Sequence, residues 1–336
     1  MSELALREPT PLAVEEKPPF QQIRILTVEN VTKGRYIGAM VVHNEEAMAG
    51  LATLARDNRV KTIILEDSPS LMDVIEGKKT IKSHMNEIFN VDLDANPDLL
   101  NIPRLASYKR RCEILLELKE RDPELKIIIV DPYYDKQAVG PKGETYEERM
   151  ILQKSIRENS GRMELALANK DFYGARENAK VVAKETAREI VISDEMRASA
   201  IAKGEYRGNV LIESGEGHVR LFRHLEANVK DSNISVMFAN REVIEKVFKE
   251  DKNFYPPLLQ LAHQYIEKGE ALEKDVADLL AARACVAAEM FNQELKKLLM
   301  EGKRMTAEKD YEIIKGANAL KTVDDCIREI NALQKR

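Results

Sequence analysis

The chain has 336 residues and 44% of them are hydrophobic, enough apolar side chain for a sizeable core, which excludes a wholly disordered polymer. Charged residues reach 32% with both signs interspersed and a net charge of -5, so nucleic-acid binding as a global property is not expected. No apolar run approaches the roughly 18 residues of a membrane helix, so no span is expected. The three scattered cysteines (Cys112, Cys285, Cys326) form no CxxC and read as buried or idle thiols of a reducing compartment. A cytoplasmic protein is the expectation.

Residues 1–21 are acidic and carry Pro9, Pro11, Pro18 and Pro19. They have no basic segment followed by an apolar one, so they read as a flexible arm without a signal peptide. A β-branched run at 23–28 and a second at 36–42, ending at His43, predict strands. Ala47, Leu51, Leu54 and Ala55 share one face of a helix predicted over 45–57. Val60 to Leu65 and Lys126 to Val130 are nearly all apolar, the pattern of strands covered on both faces. Between them lie helical pieces over 70–104 and a strong helix over 105–121. Residues 145–203 predict helix, broken near 159–161 and 171–174. Strands follow at 209–212 and 233–238, with helices at 219–226 and 240–250. Beyond Pro256 only helices are predicted, near 257–269, 271–301 and 306–332. The middle one carries Val276, Leu279, Leu280, Val286, Met290 and Leu298 on a stripe that suits packing better than a partner-binding face.

This alternation predicts an α/β fold: a partly parallel sheet flanked by helices, with an all-helical C-terminal extension. The expected division is an arm over 1–21, an α/β domain over 22–250 and a helical region over 251–336. In such sheets ligands bind beyond the carboxyl ends of the strands. His43, Glu66, Asp131 and the turn Gly215-Glu216-Gly217-His218 all follow predicted strands. Two imidazoles and a carboxylate on one rim can do acid-base chemistry, or hold a divalent metal ion through His43, Glu66 and His218. Each feature also has a plain structural explanation. Glu66 to Pro69 can cap a helix, Asp131-Pro132 can open a turn, and short glycine turns are common. His84, His224 and His263 fall in helical text and read as structural or surface residues. The stretch 92–96 starts like a calcium loop, but Pro97 replaces the required glycine. No dinucleotide fingerprint, Walker loop or nucleophile elbow occurs, and nothing in the text sets a serine or cysteine beside a histidine.

The segments Gly38–His43, Thr62–Glu66, Ser193–Ala202 and Val210–Val219 resemble, in order and spacing, the superfamily of erythromycin esterase, ChaN and TraB/Tiki-like proteins. The resemblance covers roughly 23–240. It implies a hydrolase-like site with His43, Glu66, Arg197 and His218 as catalytic residues. Arg188 is an alternative to Arg197. Asp131, Gly215, Glu216 and Gly217 would bind substrate. The leading expectation is therefore a hydrolase of ester or amide bonds in a small molecule or peptide, with or without the assistance of a metal ion. In it the histidines activate water, Glu66 orients one of them, and Arg197 binds an anion or developing oxyanion. The rival is a catalytically inactive scaffold that takes a protein partner through residues 256–336. Met40, where family members place a carboxylate, suits that rival. A ligand- or metal-binding module without turnover would use the same strand ends.

Overall fold

The computed structural model describes residues 35–41, 45–206, 208–229, 233–249 and 254–335. The arm, the strand expected at 23–28 and His43 lie outside the described residues. Five strands form one sheet: β1 (Arg35–Val41), β2 (Val60–Leu65), β3 (Lys126–Ile129), β4 (Asn209–Gly215) and β5 (Asn233–Phe238). Their order is β3-β2-β4-β1-β5, and every pairing is parallel. The fold is thus the expected α/β class, with a wholly parallel sheet among the described residues.

Helices fill the connections: α1 (Glu45–Asp57), α2 (Leu71–Ile75), α3 (Ile81–Phe89), α4 (Pro103–Arg121), α5 (Tyr146–Ala168), α6 (Phe172–Ala202), α7 (Val219–Asn228) and α8 (Arg241–Phe248). Then come α9 (Pro257–Lys268), α10 (Lys274–Met300), α11 (Ala307–Asn318) and α12 (Val323–Leu333). Strand side chains alternate between the faces of a sheet, and the core divides accordingly. Ile37, Ala39, Ile63, Leu65, Ile127 and Leu211 pack on one face with residues of α1 and α4. Met40, Ile64, Val210, Ile212 and Val236 pack on the other with residues of α6 and α7.

β4 is made late in the chain yet sits between β1 and β2. The chain leaves β1 and β2 toward the α1/α4 face and leaves β4 toward the α7 face. The direction of exit therefore switches on either side of β4. At such a switch the connections diverge and leave a crevice beyond the strand ends.

α5 runs unbroken through Asn159-Ser160-Gly161, where the sequence suggested an interruption. Ser160 bonds the Ile156 carbonyl. Asn159 bonds the Ser155 carbonyl and reaches Glu185 of α6 at 3.3 Å, so neither polar side chain competes for the backbone ahead. The other expected break, near 171–174, is present: Lys170 has φ +61°, and Asp171 then accepts from the Gly174 amide to start α6. The last predicted helix is likewise two, because Thr322 and Asp325 form a reciprocal capping box that starts α12 afresh. The stripe of α10 is core: Val276, Leu279, Leu280 and Val286 pack with Ala175, Ala179, Ala183 and Ala187 of α6 and with α9 and α12. One core thus crosses the expected boundary at residue 250. No helix among the described residues is long and apolar enough to cross a membrane.

Candidate functional site

The two strands that flank the crevice end in consecutive polar residues, and alternation sends them to opposite faces. From β2, Glu66 turns to the α6 face and Asp67 to the α4 face. From β4, Ser214 turns to the α6 face and Glu213 to the α4 face. One buried arginine waits on each side. Arg197 of α6 bonds Glu66 Oε2 at 2.7 Å, Ser214 Oγ at 3.1 Å and the carbonyls of Glu213 and Val130 at 3.0 and 3.2 Å. Arg111 of α4 bonds Asp67 Oδ2 at 2.5 Å, the Glu213 carboxylate, and the Glu66 carbonyl at 3.1 Å. A planar guanidinium supplies five donors in a fixed fork, so each arginine can clip β2 to β4.

Arg197 is completely buried and its donors go to protein acceptors. It therefore does not present a fork to a substrate anion, as the sequence suggested, but fixes Glu66 from behind. Arg188 is exposed and lies elsewhere, on a separate cavity.

His218 follows the β4 turn at the head of α7. Its Nδ1 meets Asp194 Oδ1 at 2.7 Å, and its Nε2 lies 3.5 Å from Glu66 Oε1. Asp194 is fully buried on α6, and its other oxygen accepts from the Leu221 amide. Burial works against a charged imidazole here, but Glu66 and Asp194 outweigh it and push His218 up to about 10. At neutral pH the ring is an imidazolium. Asp131 accepts from the Tyr133 amide at 2.9 Å. Burial and the Glu66 charge, opposed by Arg197, raise it to about 7. Glu189 on α6 is raised to about 7 as well, by burial, with His218 opposing and Glu66 adding to the rise.

Glu66, Asp131, Glu189 and His218 line a cavity of about 570 Å³, together with Ser193, Gly215, Gln153 and a wall from α3 and α4. Of the predicted site residues, the structure thus brings Glu66, Asp131, Gly215 and His218 to one cavity, with Arg197 behind it. Glu216 and Gly217 are not among the lining residues. Glu216 is raised to about 8 by burial and by Asp310 of α11, on the side of the helical region. Gly217 packs toward Leu259, where a Cβ would come within 3.1 Å.

The described part of the predicted metal set does not suit a divalent ion. Glu66 is already engaged by the Arg197 guanidinium at 2.7 Å, whose positive charge opposes a cation beside it. Among the described residues no three His, Cys, Asp or Glu side chains converge as a metal centre requires.

Sequence reasoning missed Asp67, Arg111, Glu189, Asp194 and Glu213. The signal for Glu189 and Ser193 was available: with Arg197 they stand four apart on a helix, hence on one face. Comparisons with protein-family models, with characterised proteins and with solved structures find no significant match to this chain.

Proposed function

We propose that this chain hydrolyses ester or amide bonds, using His218 as proton donor and a cavity carboxylate as base. The observation that supports the reading best is the chain Asp194–His218–Glu66–Arg197, with contacts of 2.7, 3.5 and 2.7 Å, whose inner members His218 and Glu66 line the cavity. Each outer partner is buried and fixes the inner one, which is how a preorganised acid-base pair is held.

In this reading His218 is not the base expected from the sequence. As an imidazolium it directs its Nε2 proton toward oxygen that gains charge as water attacks a carbonyl carbon, and then donates to the leaving group. Asp131, with a pKa of about 7, is matched to take the proton from water. Glu66 keeps the imidazole charged and oriented. Arg197 is a positioning residue that holds Glu66. The cytoplasmic setting belongs to the same proposal and is supported by three buried, unpaired thiols.

The test is hydrolysis of a panel of p-nitrophenyl esters and short peptides. His218→Ala is expected to lower kcat/KM about 10²- to 10⁴-fold, the usual worth of a positioned proton donor. Circular dichroism should be unchanged. The pH profile should rise through about 7 as Asp131 ionises and fall through about 10 as His218 loses its proton. A variant as active as the parent would overturn the assignment.

A further inference from the structure

The opposite wall of the cavity carries a second polar chain that this mechanism leaves unused. It starts at Asp67. That carboxylate pairs with Arg111 and accepts from the Ser68 amide at 2.6 Å, so it is an acceptor only. The Tyr108 hydroxyl lies 3.0 Å from both its oxygens and must donate its single proton there. Burial and the Asp67 charge both hold that phenol protonated. Tyr108 oxygen is then left to accept, and the His84 Nε2 at 2.8 Å must carry the ring proton. A neutral imidazole has one such proton, so Nδ1 is bare and basic. It faces Ser70 Oγ at 3.4 Å. Ser68 Oγ lies 2.9 Å from Ser70 Oγ and steadies it.

His84 is fully buried, and burial lowers its pKa below the ordinary value. Asp67, Glu87 and Asp73 act in the other direction, and Lys79 adds to the lowering. The ring is therefore neutral at pH 7. Ser68 and Ser70 line the cavity. Ser70 stands at the N-cap of α2, yet its side chain makes no capping bond to that helix. Its oxygen is thus not engaged by the helix amides, and its proton can pass to His84 Nδ1 or to Ser68 Oγ.

We propose that Ser70 is a second reactive centre of this cavity: a nucleophile toward activated esters, with His84 as its base and the Tyr108–Asp67 pair fixing the tautomer. Nucleophile, base and orienting group stand in the relation that covalent acyl transfer requires, and a nucleophile–base distance on the long side is usual in unliganded sites. Ser70 Oγ attacks the carbonyl carbon, forming the new C–O bond, and its proton passes to His84 Nδ1. The tetrahedral adduct then breaks its bond to the leaving alcohol, which takes the proton from Nδ1. Acyl-Ser70 remains, and water reverses the steps to release the acid. No spacing along the chain pairs this serine with a histidine, because Ser70 and His84 come together only when α3 folds back beside α2.

The test is labelling of the full chain with an alkyl fluorophosphonate, in which Oγ–P forms, P–F breaks and the proton leaves with fluoride. Peptide mapping should find one equivalent on Ser70, absent in Ser70→Ala. The rate should drop about 10²-fold in His84→Gln and about tenfold in Tyr108→Phe, a change that keeps the ring packing. It should be flat with pH above 7, following neutral His84, whereas an unassisted hydroxyl would react faster at each higher pH. Absence of label on Ser70, or equal rates in the parent and both variants, would overturn the proposal. Labelling needs no turnover, so a hydrolytically dead His218→Ala chain still tests it, and the two readings fail separately.

Discussion

Arg197 and Arg111 act on the side chains around them, holding the carboxylates at the ends of β2 and β4. Each is buried among acceptors, and its loss would strand a buried carboxylate. Arg197→Ala is expected to cost about 3–5 kcal/mol of stability, measured by urea denaturation, because breaking a buried pair leaves one charge uncompensated. Arg197→Lys should recover little of it, since an ammonium cannot reach the Glu66 carboxylate, Ser214 and two carbonyls from one plane. Glu66 and Asp131 were legible in the sequence because each follows an apolar strand run, and His218 because it closes the glycine turn after β4. Asp194 and Arg111 were not, because they lie inside helices and their partners are set by which helix covers which face. Arg197 was singled out by the resemblance of the segment Ser193–Ala202, but the role it implied, binding an anion, does not fit donors already taken by the protein. The Ser70–His84 contact joins residues fourteen apart across a turn, and no periodicity predicts it.

Among the elements, α1 shows how closely one can lie on the next. A Cβ on Gly50 would fall 1.9 Å from the Ala239 carbonyl oxygen, just past the end of β5. Backbone cannot swing aside as a side chain can, so Gly50→Ala should lower the denaturation midpoint by the equivalent of about 1–3 kcal/mol, as overpacking does. Strands were the most legible elements: of the five described, two were predicted with their observed ends and three fell within one to three residues of them, because runs such as VKTIIL admit little else. The helix breaks were less legible. Polar Asn159 and Ser160 suggested a break that their own i-4 carbonyls and the neighbouring helix prevent. The Thr322–Asp325 box, a readable start signal, was hidden inside an otherwise continuous amphipathic pattern.

For the molecule as a whole, the helical core and the site share α5 and α6. Removing residues 256–336 would expose Ala175, Ala179, Ala183 and Ala187, so the remainder should melt without a cooperative transition, seen by calorimetry. Protonation links site and stability in the same way. Asp131 (about 7 from 3.8), Glu189 (about 7 from 4.5), Glu216 (about 8 from 4.5) and His218 (about 10 from 6.5) all keep protons in the fold that the unfolded chain gives up. The carboxyl contributions are complete only below about pH 4 and fade by 7 to 8. The His218 contribution is complete below 6.5 and fades through 10. Melting temperature should therefore fall steadily from pH 6.5 to 10, and less steeply in His218→Gln. In α6 the alanine stripe and the acid-base residues belong to a single rod, with Ala183 and Arg197 about 21 Å apart along its axis. A tilt of about 3° at the stripe displaces the far end by about 1 Å, a shift large enough to change a rate 10²-fold. Substitutions remote from the cavity would then tune turnover while leaving every lining residue unsubstituted, and random mutagenesis selecting for altered activity should return to that stripe.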